Sequence, residues 1–214
     1  MNTTKQHSFY FVIPCLNESL CLQGVLDDCH EGGRLLQIPY EIIVADNGST
    51  DGSQSIALAN GAKLIDVPIK GYGAALKAGL DAAQGDFIIM GDADRTYNFK
   101  DAYLFLEQLY IGADLVMGNR FKGIIYPGAM PFLHRWLGNP VLSGIGSLFF
   151  GISVGDFHCG LRAFKSSSIR LLGLKADGME FASEMVIKAS LRDLKLVEVP
   201  TSLSLDHPER IPHL

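Results

Sequence analysis

Short apolar runs alternate with periodic helical segments through the first 118 residues, and that alternation leaves few folds open. "FYFVIP" (Phe9–Pro14) reads as a buried strand and is followed by helical periodicity from Glu18 to Cys29. "YEIIVAD" (Tyr40–Asp46) precedes a helical stretch over Asp51–Asn60, and "AKLIDVP" (Ala62–Pro68) precedes one over Gly73–Gln84. "DFIIMGD" leads into Phe99–Tyr110, and "ADLVMG" (Ala113–Gly118) is a fifth strand. Continuous apolar strands separated by amphipathic segments are the signature of parallel β-α-β units. The expectation is therefore an α/β fold, a mostly parallel sheet with helices on both faces. After Gly118 the alternation stops. Residues 119–180 are rich in Gly, Pro and aromatics, with helical patterning over Leu133–Phe150 and a strand over Leu161–Phe164. Phe181–Ser190 reads as a helix and Leu194–Val199 as the last strand. The chain closes on "DHPERIPHL" with no final element, and we expect it to be truncated at its C-terminus.

Open α/β sheets bind ligands outside the carboxyl ends of their strands. Here those ends carry "PCLNE", "ADNGSTDGS", "KGYG", "GDAD" and "GNRF" in turn, five polar loops on one sheet edge. Asp92 and Asp94 are the sharpest pair. Two carboxylates that close repel one another unless a cation lies between them, and hard oxygen donors select Mg²⁺ or Mn²⁺. "ADNGSTDGS" is explained by turn and capping chemistry at Asn47–Asp51, which leaves Asp46 able to accept hydrogen bonds from a base or ribose. In "CLNE", Asn17 suits a helix cap and Glu18 a first-turn acid.

Charge is unevenly spread. Residues 1–114 carry 7 Lys/Arg against 15 Asp/Glu, residues 115–170 carry 6 against 1, and residues 171–214 carry 5 against 7. An acidic half beside a basic middle suggests a metal site next to an anion site, with Arg120, Lys122, Arg135, Arg162 and Lys165 as candidate phosphate grips. His134 and His158 read as packing or hydrogen-bonding residues. The four cysteines (Cys15, Cys21, Cys29, Cys159) have no zinc spacing and read as reduced structural residues.

Several classes are excluded. "GYGAALKAG" places Leu76 where a dinucleotide fingerprint needs its third glycine, and no P-loop or GxSxG motif occurs. No early segment has the build of a signal peptide. "PVLSGIGSLFFGISVG" (Pro140–Gly155) is too short and glycine-rich for a membrane span, and reads as buried or interfacial. Nothing points to nucleic acid.

Taken together, "VIPCLNE", "ADNGSTDGS", "GYGAALKAG", "GDADRTY", "GNRF", "LHRWLGNP", "DFHCGLRAF" and "GMEFASEM" resemble the family-2 glycosyltransferases of GT-A fold, and within them the polyprenyl-phosphate (dolichyl-phosphate) sugar synthases. The resemblance covers nearly the whole chain in order. It implies a single GT-A domain over 1–214, with residues 1–118 as the nucleotide- and metal-binding half and 119–214 as the acceptor-binding half. It implies that Pro14, Leu16, Glu18, Asp46, Gly71, Ala74 and Asp92 line the nucleotide, and that Asp92 and Asp94 hold Mg²⁺ or Mn²⁺. Arg120 and Arg135 would meet the acceptor phosphate, and Asp156, Gly160 and Arg162 would shape the sugar and acceptor site. Thr96 stands where close relatives often carry a metal-binding Gln, and its hydroxyl is a weaker ligand.

The implied activity is an inverting, metal-dependent transfer of a hexose from UDP-glucose or GDP-mannose to a polyprenyl phosphate, at the cytoplasmic face of a membrane. A lipid monophosphate, with a second pKa of about 6, is already largely dianionic at neutral pH and needs no base. The alternative is transfer to a saccharide hydroxyl, with Glu180, Glu184 or Asp156 as base. A nucleotidyltransferase would need a glycine-rich, lysine-containing loop near the first strand, which is missing. A non-enzymatic nucleotide-binding module would show tight Mn²⁺-dependent binding with neither hydrolysis nor transfer.

Overall fold

The computed structural model describes residues 7–130 and 154–210. Arg135, His134, the helical stretch expected over Leu133–Phe150 and most of the Pro140–Gly155 segment lie outside the described residues. The strands are β1 (Phe9–Cys15), β2 (Tyr40–Asp46), β3 (Lys63–Asp66), β4 (Phe87–Met90), β5 (Leu115–Asn119), β6 (Arg162–Lys165) and β7 (Leu196–Pro200). The α-helices are α1 (Leu22–Leu35), α2 (Ser53–Ala59), α3 (Tyr72–Ala82), α4 (Ala102–Tyr110), α5 (Ser166–Leu172) and α6 (Phe181–Leu191), with a single 3₁₀ turn at Phe99–Asp101 leading into α4.

The seven strands form one sheet in the order β3-β2-β1-β4-β6-β5-β7. All pairings are parallel except those of β6, which runs antiparallel to both β4 and β5. The expected mostly parallel α/β sheet is thus observed. The chain builds outward from β1 through β2 to β3, then returns to place β4 on β1's other side. That reversal is a topological switch point, and it opens a crevice between the ends of β1 and β4.

Alternation along β1 explains why both faces are covered. Phe9, Phe11 and Ile13 point into a core with Leu22, Val25 and Leu26 of α1 and Phe105, Leu106 and Leu109 of α4. Tyr10 and Val12 point the other way, among Leu76 and Leu80 of α3, Ile169 of α5 and Phe181, Met185 and Val186 of α6. Each fully buried side chain of this size contributes roughly 1.5–3 kcal/mol. All four cysteines are free and buried, as read from sequence. Burial pushes the Cys15 and Cys159 thiols up to about 12, so neither is a nucleophile at neutral pH.

Three elements differ from expectation. α1 begins at Leu22 rather than near Glu18, because Asn17 takes a left-handed backbone (φ 52°). Asn17 is not a cap there. Its backbone N–H donates to Ser49 Oγ at 2.8 Å and its Oδ1 accepts from Thr50 N at 2.8 Å, zipping the β1 loop to the β2 loop. Helix α5 was not expected, and β6 lies antiparallel.

Candidate active site

The loops after β1, β2, β3 and β4 meet at the crevice. Asp46 ends β2 with no exposed surface. Its Oδ2 accepts from Gly48 N (3.1 Å), Ser49 N (3.0 Å) and Gln54 Nε2 (2.6 Å), while its Oδ1 is buried with no partner. A buried oxygen without a donor is costly, and marks a place for an incoming N–H or O–H. Asn47 ties this loop to the next one. Its Nδ2 donates to the Val67 and Ile69 carbonyls, and its Oδ1 accepts from Gly71 N at 2.8 Å.

Gly71 and Ala74 stand at the start of α3. Gly71 has φ 136°, and a Cβ there would strike the Asp177 carbonyl, so only glycine fits. The same carbonyl accepts from Ala74 N at 3.0 Å, and Lys77 reaches Asp177 Oδ1 at 2.5 Å. The first turn of α3 is thereby clamped by the loop that precedes α6. Pro14 is buried at the end of β1, Leu16 is half-buried, and Glu18 is 5% exposed.

Asp92 and Asp94 follow β4 across the crevice from Glu18. Asp92 Oδ1 accepts from the Tyr72 hydroxyl at 2.9 Å. Burial, then the Asp94 carboxylate, push Asp92 up to about 7. Asp94 Oδ1 accepts from Thr96 N (3.0 Å) and Thr96 Oγ1 (2.7 Å), and its Oδ2 lies 3.9 Å from Arg210 Nη1. The Thr96 hydroxyl therefore orients Asp94. A buried carboxylate whose ionisation is opposed by a second carboxylate two residues on fits a divalent ion, which typically takes one or two carboxylates and completes its shell from substrate phosphates. Among the described residues no group of three or more His, Cys, Asp or Glu is placed to hold an ion, so diphosphate oxygens would have to supply the rest.

Among the described residues, the four expected phosphate grips Arg120, Lys122, Arg162 and Lys165 all have partners within the protein. Arg120 donates through Nε and Nη2 to the two oxygens of Asp156, both at 2.7 Å, and Asp156 is fully buried. Lys122 pairs with Glu198 at 2.8 Å and Lys165 with Asp114 at 3.5 Å. Arg162 is fully buried and donates to the carbonyls of Cys159 (2.8 Å), Ala182 (2.6 Å) and Phe157 (3.1 Å). Burial lowers its pKa, and its charge in turn stabilises ionised Asp92. These arginines brace the loop 156–162, which brings Gly160 against Asp92.

A cleft of about 360 Å³ opens beside Asp92, lined by Tyr72, His158, Gly160, Met179, Glu180, Ala182 and Ser183. Tyr72 and His158 escaped the sequence reading as site residues, although Tyr72 sits inside the quoted "GYG" and His158 inside "DFHCGLRAF". Of the three candidate bases, Asp156 is spent on Arg120 and Glu184 is held by Lys188 (2.6 Å) and two backbone N–H groups. Glu180 alone faces the cleft. A second, more open cleft of about 480 Å³, between Arg95, Tyr126 and Ser204, contains none of the expected site residues.

A family model described as "Glycosyl transferase family 2" matches residues 10–173, which include the loops after β1, β2, β3 and β4. The chain belongs to glycosyl transferase family 2. It is 41% identical over 194 residues to the low-salt glycan biosynthesis hexosyltransferase Agl6 of Haloferax volcanii, covering 88% of this chain and 46% of that protein. It is 29% identical over 191 residues to a dolichyl-phosphate hexose transferase of the same organism, covering 88% of this chain and 79% of the other. The chain thus spans about half the length of Agl6. Among solved structures, glucosyl-3-phosphoglycerate synthase from Mycobacterium tuberculosis superimposes with a TM-score of 0.72 at 23% identity, covering 96% of this chain and 73% of that one. That likeness fixes the fold as GT-A-like. Among the described residues no helix is long and apolar enough to cross a membrane.

Proposed function

We propose that the chain is the catalytic domain of a metal-dependent, inverting hexosyltransferase that moves a sugar from a UDP-sugar to a polyprenyl phosphate. Residues 1–118 bind the nucleotide and ion, and 119–214 meet the acceptor. The carrying observation is the Asp92/Asp94 pair at the switch point, on the same sheet edge as Asp46 with its unmatched buried oxygen. The hexosyltransferase relative supports the reaction class, and the dolichyl-phosphate relative supports a lipid-phosphate acceptor at a membrane surface. A solved neighbour described in complex with Mn²⁺ and UDP supports the ion and the donor.

Asp46 favours uridine over guanosine. Its Oδ2 already accepts three hydrogen bonds, so only Oδ1 remains. Uracil presents one imide N–H, whereas the guanine edge presents an N–H and an amine side by side and calls for both carboxylate oxygens.

In this reading Asp92 and Asp94 hold the ion, with Tyr72 and Thr96 fixing the orientation of each carboxylate. A bound Mg²⁺ or Mn²⁺ neutralises charge on the departing diphosphate. Glu180, His158 and Ser183 line the cleft where the sugar sits, and Arg162 braces its wall from behind. The acceptor phosphate attacks the anomeric carbon from the face opposite the diphosphate and inverts it. Being dianionic, it requires no base. Arg135 remains the candidate to meet it.

The test is incubation with UDP-[¹⁴C]glucose, Mn²⁺ and a short-chain polyprenyl phosphate in detergent. Label should move to the lipid-phosphate product, and Glu180→Gln, which keeps the size of a side chain that lines the sugar cleft, should slow transfer without abolishing it. Label moving only to added oligosaccharide, and lost in Glu180→Gln, would replace the lipid reading with the hydroxyl-acceptor one.

A further inference from the structure

Arg210, like Tyr72 and His158, stands at the site without having been expected there. Its Nε and Nη2 donate to the two oxygens of Glu18, at 2.6 and 2.5 Å, across 192 residues of sequence. Its Nη1 donates to Asp206 at 2.7 Å and stands 3.9 Å from Asp94 Oδ2. The stretch that delivers it lies along the β4 loop: Ser204 N donates to Thr96 O at 2.9 Å, and Leu203 bridges to Ile125. One guanidinium therefore serves three carboxylates, one of them on the metal-site loop.

We infer that Arg210 is a positioning residue of the donor site, keeping Glu18 neutralised beside the ground that a nucleoside diphosphate must occupy. The inference rests on the donor-site reading above. Glu18 is nearly buried, so water cannot screen its charge, and the fork of an arginine matches both its oxygens. Without Arg210, Glu18 and Asp206 would lose the guanidinium that now offsets their charge, on the side from which a diphosphate of the same sign approaches. A divalent ion offsets the Asp92/Asp94 pair. It does not offset Glu18, which Arg210 already holds with both oxygens.

This differs in outcome from two other roles. Were Arg210 a direct phosphate contact, removing it would cost affinity whatever Glu18 carried. Were it a plug in the ion's position, removing it would tighten binding. The experiment is calorimetric titration of UDP in saturating Mn²⁺ into the full chain as wild type, R210Q, E18Q/R210Q and R210K. Melting temperature without ligand is recorded for each.

R210Q should bind UDP about tenfold more weakly or worse, and E18Q/R210Q should recover most of that loss. R210K, a compact point charge unable to span both Glu18 oxygens, should fall between wild type and R210Q. A purely structural salt bridge would lower the melting temperature of R210Q and leave the affinity of the folded protein alone. Unchanged or tighter binding in R210Q, or a double variant as weak as R210Q, overturns the inference. If R210Q does not fold, R210K binding as tightly as wild type overturns it in its place. Wild type that fails to bind UDP at all would instead remove the donor-site reading beneath it.

Discussion

Asp94→Asn abolishes metal-dependent nucleotide binding while leaving the fold intact. The substitution keeps the side-chain shape and an Oδ1 that can still accept from Thr96 N and Oγ1 at about their present positions. What it removes is the negative charge, and with it half of the carboxylate pair that this chain offers an ion. The loss expected is roughly 100-fold or more in UDP affinity at saturating Mn²⁺, about 2.8 kcal/mol at 1.4 kcal/mol per decade. Calorimetry of wild type and variant side by side reads the effect. Equal affinities would mean that the ion, if any, is held elsewhere.

Asp156→Ala should produce the largest loss of stability. Asp156 has no exposed surface and accepts three hydrogen bonds from Arg120, through its backbone N–H, Nε and Nη2. Removing it strands a guanidinium that is itself nearly buried. Breaking a buried pair from one side costs about 3–5 kcal/mol, whereas replacing both partners with apolar side chains of similar volume is often neutral. A domain of ordinary stability holds only about 5–15 kcal/mol in reserve. Urea titration should therefore show a large fall in midpoint for Asp156→Ala, with much of it restored in Asp156→Leu/Arg120→Met. A single variant within about 1 kcal/mol of wild type would show that water or Glu198 takes over as Arg120's partner.

The strand–helix alternation of residues 9–118 reports local burial and periodicity, and those properties are carried by short windows of sequence. Hence β1 to β5 and α1 to α4 are all found near their expected places, and the polar loop ends converge on one edge. The antiparallel sense of β6 was not legible, because "RAFK" carries no directional signal and its neighbours are set by a long connection. Helix α5 was hidden by its three leading serines, which favour turns over helix interiors. Its seven residues are anchored instead by Ile169 and Leu172 packing on the core and by a left-handed Gly173 at its end.

The charge map leaves the cations' partners within the fold unread. Counting Lys and Arg over residues 115–170 gives a basic segment, and the natural inference is an anion site. The sequence does not say that Asp156 lies against Arg120, that Glu198 from β7 reaches Lys122, or that Arg162 turns inward to three carbonyls. Those partners come from other strands of the sheet and from loops distant in sequence. The Glu18–Arg210 pair was invisible for the same reason, being 192 residues apart. By contrast, Asp92 and Asp94 were legible because adjacency in sequence and position at a strand end suffice to bring their charges together.

A donor site completed by a divalent ion at the end of β4 should read uridine through Asp46. It is tested most directly by titrating UDP and GDP into the wild-type chain, with Mn²⁺ and with EDTA. UDP should bind only with Mn²⁺ present, and about tenfold or more tighter than GDP. UDP binding indifferent to EDTA, or no binding of either nucleotide with Mn²⁺ present, would contradict it.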